Sequence, residues 1–180
     1  RTRFPAAVLQ EADALHEPGA SECSGREDLR ARLVFTIDPE DARDHDDALS
    51  VQDLGAGRLE VGIHIADVSH YVLPGSALEH EALERGTSTY LPTGVVPMLP
   101  HRLSSDLCSL RPDHERLAVS VFVTLEANGQ RSRPRFAETV LRSRHRLHYA
   151  QVQAYFDGEA MLDPVVGALL LVAIELAPHA

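Results

Sequence analysis

The chain has no lysine, no tryptophan, only two cysteines among its 180 residues and no low-complexity tract. All 17 basic residues are therefore arginine, a coding bias from which no function follows. Cys23 and Cys108 lie far apart and form no C-x-x-C pair, which argues against a disulfide framework or a zinc site. Two reduced thiols suit a cytoplasmic protein, and Cys108 reads most simply as a small core residue. The longest apolar run, Val165 to Ala177, carries Glu175 and falls short of the roughly 20 residues that a membrane helix needs, so no segment is expected to span a bilayer. With 44% hydrophobic and 24% charged residues there is enough apolar material for a sizeable core, which argues against a disordered or fibrous chain. The length fits one domain or part of one, and a start at Arg1 rather than at methionine points to a piece of a longer protein. Acids outnumber bases 27 to 17, a net charge of −10. Such a surplus ordinarily repels nucleic acid, so where the charges sit matters more than their sum.

The hydrophobic pattern predicts an α+β domain, antiparallel β hairpins packed with helices, over residues 31–180. Residues 1–30 read as a lead-in segment with a short apolar helix-like stretch and a turn at Pro18, Gly19 and Ser21. Leu33, Val34, Phe35 and Ile37 form an apolar strand that ends at Asp38-Pro39. A second strand starts at Ala48, turns at Gly55-Ala56-Gly57 and returns through Leu59 to Ile65 with period two. Pro74-Gly75-Ser76 opens a helix that Gly86 closes. Four prolines between Leu91 and Pro112 predict an irregular ordered loop. Beyond it, Leu117 to Leu125 alternates, Asn128-Gly129 turns, and Phe136 begins the returning strand. Six arginines crowd residues 131–149; Arg142, Arg144 and Arg146 share one side of a strand, either as a solvated face or as an edge that tracks phosphates.

The densest chemistry is the stretch Thr36 to Ala48, with six acids within ten positions from Asp38. Like charges beside a core cost Coulomb energy unless a cation sits among them. An EF-hand would require glycine at the sixth position and glutamate at the twelfth, where this chain has Arg43 and Leu49. An all-carboxylate set suits Mg²⁺, with Mn²⁺ as a substitute. Such ions keep open positions for water and phosphate oxygens, so phosphodiester hydrolysis is the natural chemistry, and no Ser, Cys or His nucleophile is required.

These residues, with Arg26 to Arg30, Gly62 to Val72, Arg85 to Pro92, Val95 to Pro100 and Leu103 to Leu110 in the same order and spacing, resemble the ribonuclease II/ribonuclease R (RNB) family. The resemblance covers roughly residues 3–153, and the wording of the Val68–Val72 and Val95–Pro100 segments leans towards the ribonuclease R branch. It implies the N-terminal part of an RNB catalytic domain over residues 31–180, from a processive 3′-to-5′ exoribonuclease that uses Mg²⁺ to release nucleoside 5′-monophosphates from single-stranded RNA. Carried over by motif, Asp38, Asp44, Asp46 and Asp47 are the catalytic and metal-holding carboxylates, and Tyr90 contacts the terminal nucleotide, a role that fits base stacking. Burial and hydrogen bonding explain His64 and Asp67 equally well, His45 is left outside the site, and Glu40 and Asp41 read as peripheral. No segment matches the family's later arginine motif or its flanking RNA-binding domains. That leaves a second reading, a non-catalytic RNA-binding or interaction module derived from an RNB domain.

Overall fold

β-branched and aromatic residues at alternate positions build the centre of the molecule, which the computed structural model describes for residues 2–92, 94–164, 166, 167 and 170. In chain order the elements are α1 (Ala6–Asp13), α2 (Ala20–Cys23), β1 (Glu27–Leu29), β2 (Val34–Asp38), β3 (Asp47–Gly55), β4 (Arg58–Ala66), α3 (Val68–Tyr71) and α4 (Ala77–Arg85). They continue with β5 (Thr89–Leu91), β6 (Gly94–Val96), a π-helical turn over Leu103–Leu107, β7 (Glu115–Leu125), β8 (Arg135–Arg142), β9 (His145–His148) and α5 (Tyr149–Phe156). Most of the apolar run from Val165 to Ala177 lies outside the described residues. Among those described, no helix is long and apolar enough to cross a membrane.

Both expected hairpins are present, β3 with β4 (Ala48 opposite His64) and β7 with β8 (Ser120 opposite Ala137). They lie side by side in one seven-stranded sheet of order β1-β8-β7-β4-β3-β2-β9. The sheet is mixed rather than purely antiparallel, because β1 runs parallel to β8 and β2 parallel to β9. Parallel neighbours are joined by long crossovers and carry no local turn signal, so the hairpin pattern did not reveal them. The stretch 91–112 is also less irregular than its prolines suggest: β6 pairs with β5, and the π turn buries Leu103 and Leu107. Residues 6–29 join the same body, since α1 buries Val8 and Ala12 in the main core and β1 is an edge strand.

That core packs α1, α3, α4 and the 98–110 segment against the sheet. Ser76 caps α4 by accepting a hydrogen bond from the Glu79 N–H, and Gly86 ends it at φ 74°, a conformation that disfavours any side chain. Cys108 is buried there, as a core thiol should be. A second cluster lies between α5 and the β2/β9 end, around Phe35, Leu147 and Val166.

A polar chain crosses the core face of four strands. Ser50 and Ser120 contact the His64 imidazole at Nε2 and Nδ1 (2.9 and 2.7 Å), Ser120 meets the Thr139 hydroxyl at 2.7 Å, and Thr139 donates to the Ala118 carbonyl. His64 is fully buried, and desolvation, with Arg32 adding to it, pushes its pKa down to about 4. The unfolded chain takes up the proton near pH 6.5 and the folded chain only near pH 4, so stability falls as the pH drops between those values. The expected loss is about 2–3 kcal/mol by pH 4.5. Asp46, described below, titrates in the opposite sense over this range. Urea unfolding of the Asp46→Asn chain at pH 7, 5.5 and 4.5 therefore removes the largest opposing contribution, and a level or rising stability would refute the effect.

Candidate active site

The acid-rich loop closes the β2–β3 connection at one end of the sheet. Proline 39 cannot donate to a strand ladder, so β2 stops at Asp38, and β3 begins at Asp47. Val34 pairs with Ser50 and Phe35 with Leu49, a register that brings Asp38 back towards Asp46. Asp38 is buried, and its Oδ2 lies 2.8 Å from His45 Nδ1. Asp44 is half-buried, while Asp46 and Asp47 keep an open side to solvent.

Neighbouring segments hold the loop backbone. Ser109, fully buried, donates to the Arg43 carbonyl (3.0 Å) and accepts from the His45 N–H (3.1 Å), while the Leu110 N–H donates to the His45 carbonyl. Buried Arg116 fixes that support by donating to the carbonyls of Asp106 and Ser109, and it shares the Asp106 carboxylate with Arg102 and Arg111. The Ala66 N–H adds a bond to the Asp46 carbonyl from β4. Ser109 and Leu110 stand inside a recognised motif, but nothing in their residue type announced this bracing role. His45, set aside in the sequence, lies directly against Asp38.

The electrostatics are those of an anionic rim. Partial loss of hydration raises the Asp46 carboxyl to about pKa 6, with Asp44, Asp47 and Asp38 adding repulsion and His45 opposing it. Asp47 is raised for the same reasons, desolvation and then Asp38. All four acids singled out in the sequence therefore act on one another here, whereas Glu40 and Asp41 stand exposed on the outer part of the loop. Asp44 and Asp46 also line a half-enclosed cavity of about 210 Å³ whose other walls include Ile65, Met98, Leu99 and Cys108. Tyr90, on the β5–β6 hairpin, donates its hydroxyl to Asp44 Oδ2 at 2.6 Å and is 65% exposed. That bond to Asp44 is the main reason its pKa rises to about 12.

Among the described residues, no three His, Cys, Asp or Glu side chains form a set disposed to hold a metal by themselves. An open, all-oxygen rim nevertheless fits Mg²⁺, which typically takes one or two carboxylates and fills its remaining positions with water and substrate phosphate.

The arginines of residues 131–149 are largely occupied within the protein. Arg135 pairs with Glu27, Arg142 with Glu115, Arg144 donates to the Arg30 carbonyl, and Arg146 donates to the carbonyls of Glu40 and Ala42.

Residues 26–177 match the RNB domain profile. The chain belongs to the RNB family. It is 44% identical over 171 residues to ribonuclease R of Chlamydia muridarum, covering 94% of this chain and 25% of that protein. The RNB fold described above superposes on Mycoplasma genitalium RNase R, solved in complex with double-stranded RNA, with a TM-score of 0.89 and 31% identity over 97% of this chain and 31% of the other. Yeast Ssd1, a pseudonuclease, shares the fold at a TM-score of 0.77 and 23% identity, over 89% of this chain and 20% of that one. The RNB chain described here thus spans about a quarter of the length of the curated relatives it matches.

Proposed function

We propose that this RNB chain carries the carboxylate part of a 3′-to-5′ exoribonuclease site that hydrolyses single-stranded RNA to nucleoside 5′-monophosphates, in a cytoplasmic protein. The observation that carries the reading is the gathering of the acids where β2 ends and β3 begins: the β2–β3 register returns Asp38 towards Asp46, and Asp46, partly stripped of water, also meets the charges of Asp44, Asp47 and Asp38. Family membership gives that rim its reaction class.

Asp38, Asp44, Asp46 and Asp47 are the residues that would hold Mg²⁺ or Mn²⁺. When bound, the ion would supply acidification of the attacking water and positive charge opposite the leaving oxygen. The chain's own residues do the rest. Ser109 and Leu110 keep the loop from spreading, the apolar walls beside Asp44 and Asp46 limit water, and Tyr90 offers an exposed ring for the last base. Because a pseudonuclease shares the fold, the fold alone does not separate catalysis from RNA binding. The four carboxylates favour catalysis.

Digestion of uniformly labelled single-stranded RNA with Mg²⁺ tests this reading through its products. Nucleoside 5′-monophosphates are expected, with little release from DNA of the same sequence. Internal fragments or 3′-phosphate ends would contradict it.

Tyr90 carries a further expectation. Tyr90→Ala should raise the KM for RNA about tenfold to a hundredfold, since stacking one base contributes roughly 1–3 kcal/mol. Tyr90→Phe keeps the ring, loses only the bond to Asp44, and should leave KM within a few-fold of the parent. Equal damage in both variants would assign the hydroxyl, not the ring, to RNA.

A further inference from the structure

Residues 39–46 form no helix or strand, yet they carry acids that repel one another. Ser109 braces the second half of this loop, at Arg43 and His45. Its first half is held from β9. Arg146 stands opposite Thr36 in the parallel β2–β9 pairing, two residues before Asp38, and its side chain runs out over the loop. One guanidinium nitrogen, Nη2, donates to the carbonyls of both Glu40 and Ala42.

We infer that Arg146 is a positioning residue: it gathers the Glu40 and Ala42 carbonyls and so fixes where Asp38 stands relative to Asp44, Asp46 and Asp47. The inference rests on the functional reading above for what that spacing serves. A loop of like charges spreads unless its backbone is tied, and loosening the supports behind a set of ligands weakens metal binding without removing any ligand. Arg142 and Arg144 do not share its strand as the sequence pattern suggested, since Arg142 ends β8 and Arg144 lies between β8 and β9, and their hydrogen bonds go elsewhere, to Glu115 and to the Arg30 carbonyl. The arginine-rich stretch therefore divides its work, and Arg146 is the member aimed at the acids' backbone. Because a single nitrogen makes both bonds, an ammonium group can replace it, which separates this role from a planar, bidentate grip on phosphate.

The test uses the full chain with Arg146→Met, which keeps the apolar stem, and Arg146→Lys, which keeps a donor. Three quantities are read without RNA: amide exchange of residues 40–46, Mn²⁺ affinity by electron paramagnetic resonance, and Tm. In Arg146→Met the hydrogen-bonded loop amides, Ala42 to the Pro39 carbonyl and His45 to Ser109, should exchange about fivefold faster, as expected for about 1 kcal/mol of lost hydrogen bonding, while β4 and β7 stay protected. Mn²⁺ binding should weaken by about tenfold, Tm should stay near the parent value, and Arg146→Lys should recover most of the affinity. Unchanged loop exchange overturns the inference. So does a fall in Tm with faster exchange throughout the sheet, which would mark a merely structural arginine, or a change confined to the salt dependence of RNA binding, which would mark a phosphate contact. A parent chain that binds no Mn²⁺ would remove the functional reading, and loop exchange alone would then decide the role of Arg146.

Discussion

Asp46→Asn should slow cutting by about a hundredfold to a thousandfold and make the protein more stable. Its carboxylate, raised to about pKa 6, is ionised at neutral pH against partial loss of hydration and then against the repulsion of Asp44, Asp47 and Asp38. An amide of the same shape removes that charge. Loss of a group that holds charge opposite the reacting phosphate costs on the order of 3–4 kcal/mol in the transition state, a fall of about a hundredfold to a thousandfold in kcat. The stability change has the opposite sign. The folded pKa lies above the unfolded value, so the ionised acid destabilises the fold above about pH 6, and that penalty fades as the pH falls and the folded form binds its proton. Asp46 keeps an open side to solvent, so we discount the shift to about 1 kcal/mol, equivalent to a Tm gain of roughly 2–4 °C at pH 7 that shrinks towards pH 5. Scanning calorimetry at both pH values checks it. A variant less stable than the parent at pH 7 would mean that the rim is not under charge strain.

Gly62→Ala should be the most damaging small substitution in the sheet. A Cβ at this position would lie 2.5 Å from Ser50 Oγ, 2.8 Å from His64 Cε1 and 2.9 Å from His64 Nε2. Those atoms belong to the buried polar chain across β3, β4 and β7, so they cannot move apart without opening the Ser50–His64–Ser120 contacts. Overpacking of this kind costs about 3 kcal/mol, or roughly 6–12 °C in Tm for a chain of this size. Adding Ser50→Ala removes the nearest clash and should return part of the loss, a non-additivity that a double-mutant cycle measures. A Gly62→Ala chain that melts with the parent would show that β3 and β4 can part freely. The catalytic reading is linked to this point, because Asp47 opens β3 and the Ala66 N–H at the end of β4 holds the Asp46 carbonyl.

The period of β4 was legible in its sequence; the side it buries was not. Ile63 and Ile65 alternate with Gly62, His64 and Ala66, and an apolar-inward rule would bury the isoleucines. The structure buries His64 completely and leaves Ile63 40% and Ile65 46% exposed. Hydroxyls from Ser50 on the hairpin partner β3 and from Ser120 on the remote strand β7 reverse the preference, and the pairing with β7 has no local signal. The acid loop was readable because six acids beside an apolar strand demand an explanation within one local window. Its supports were not, since Ser109, Arg116 and Arg146 act through backbone carbonyls, which carry no residue code. Likewise, the Asn128-Gly129 turn announced the β7–β8 hairpin, while the parallel placement of β1 and β9 depended on crossovers that no local pattern encodes.

The proposed activity, cutting of RNA from its 3′ end at the carboxylate rim with a divalent ion, can be read from the products of one reaction. Digestion of a 5′-labelled single-stranded RNA by the 180-residue chain, resolved on a gel with Mg²⁺, with EDTA, and with the Asp46→Asn variant, tests it most directly. The expected result is a ladder that shortens stepwise from the 3′ end with Mg²⁺, stops with EDTA and is lost in the variant on the same time scale. A folded chain that leaves the RNA intact, or a ladder that survives in Asp46→Asn, would contradict it.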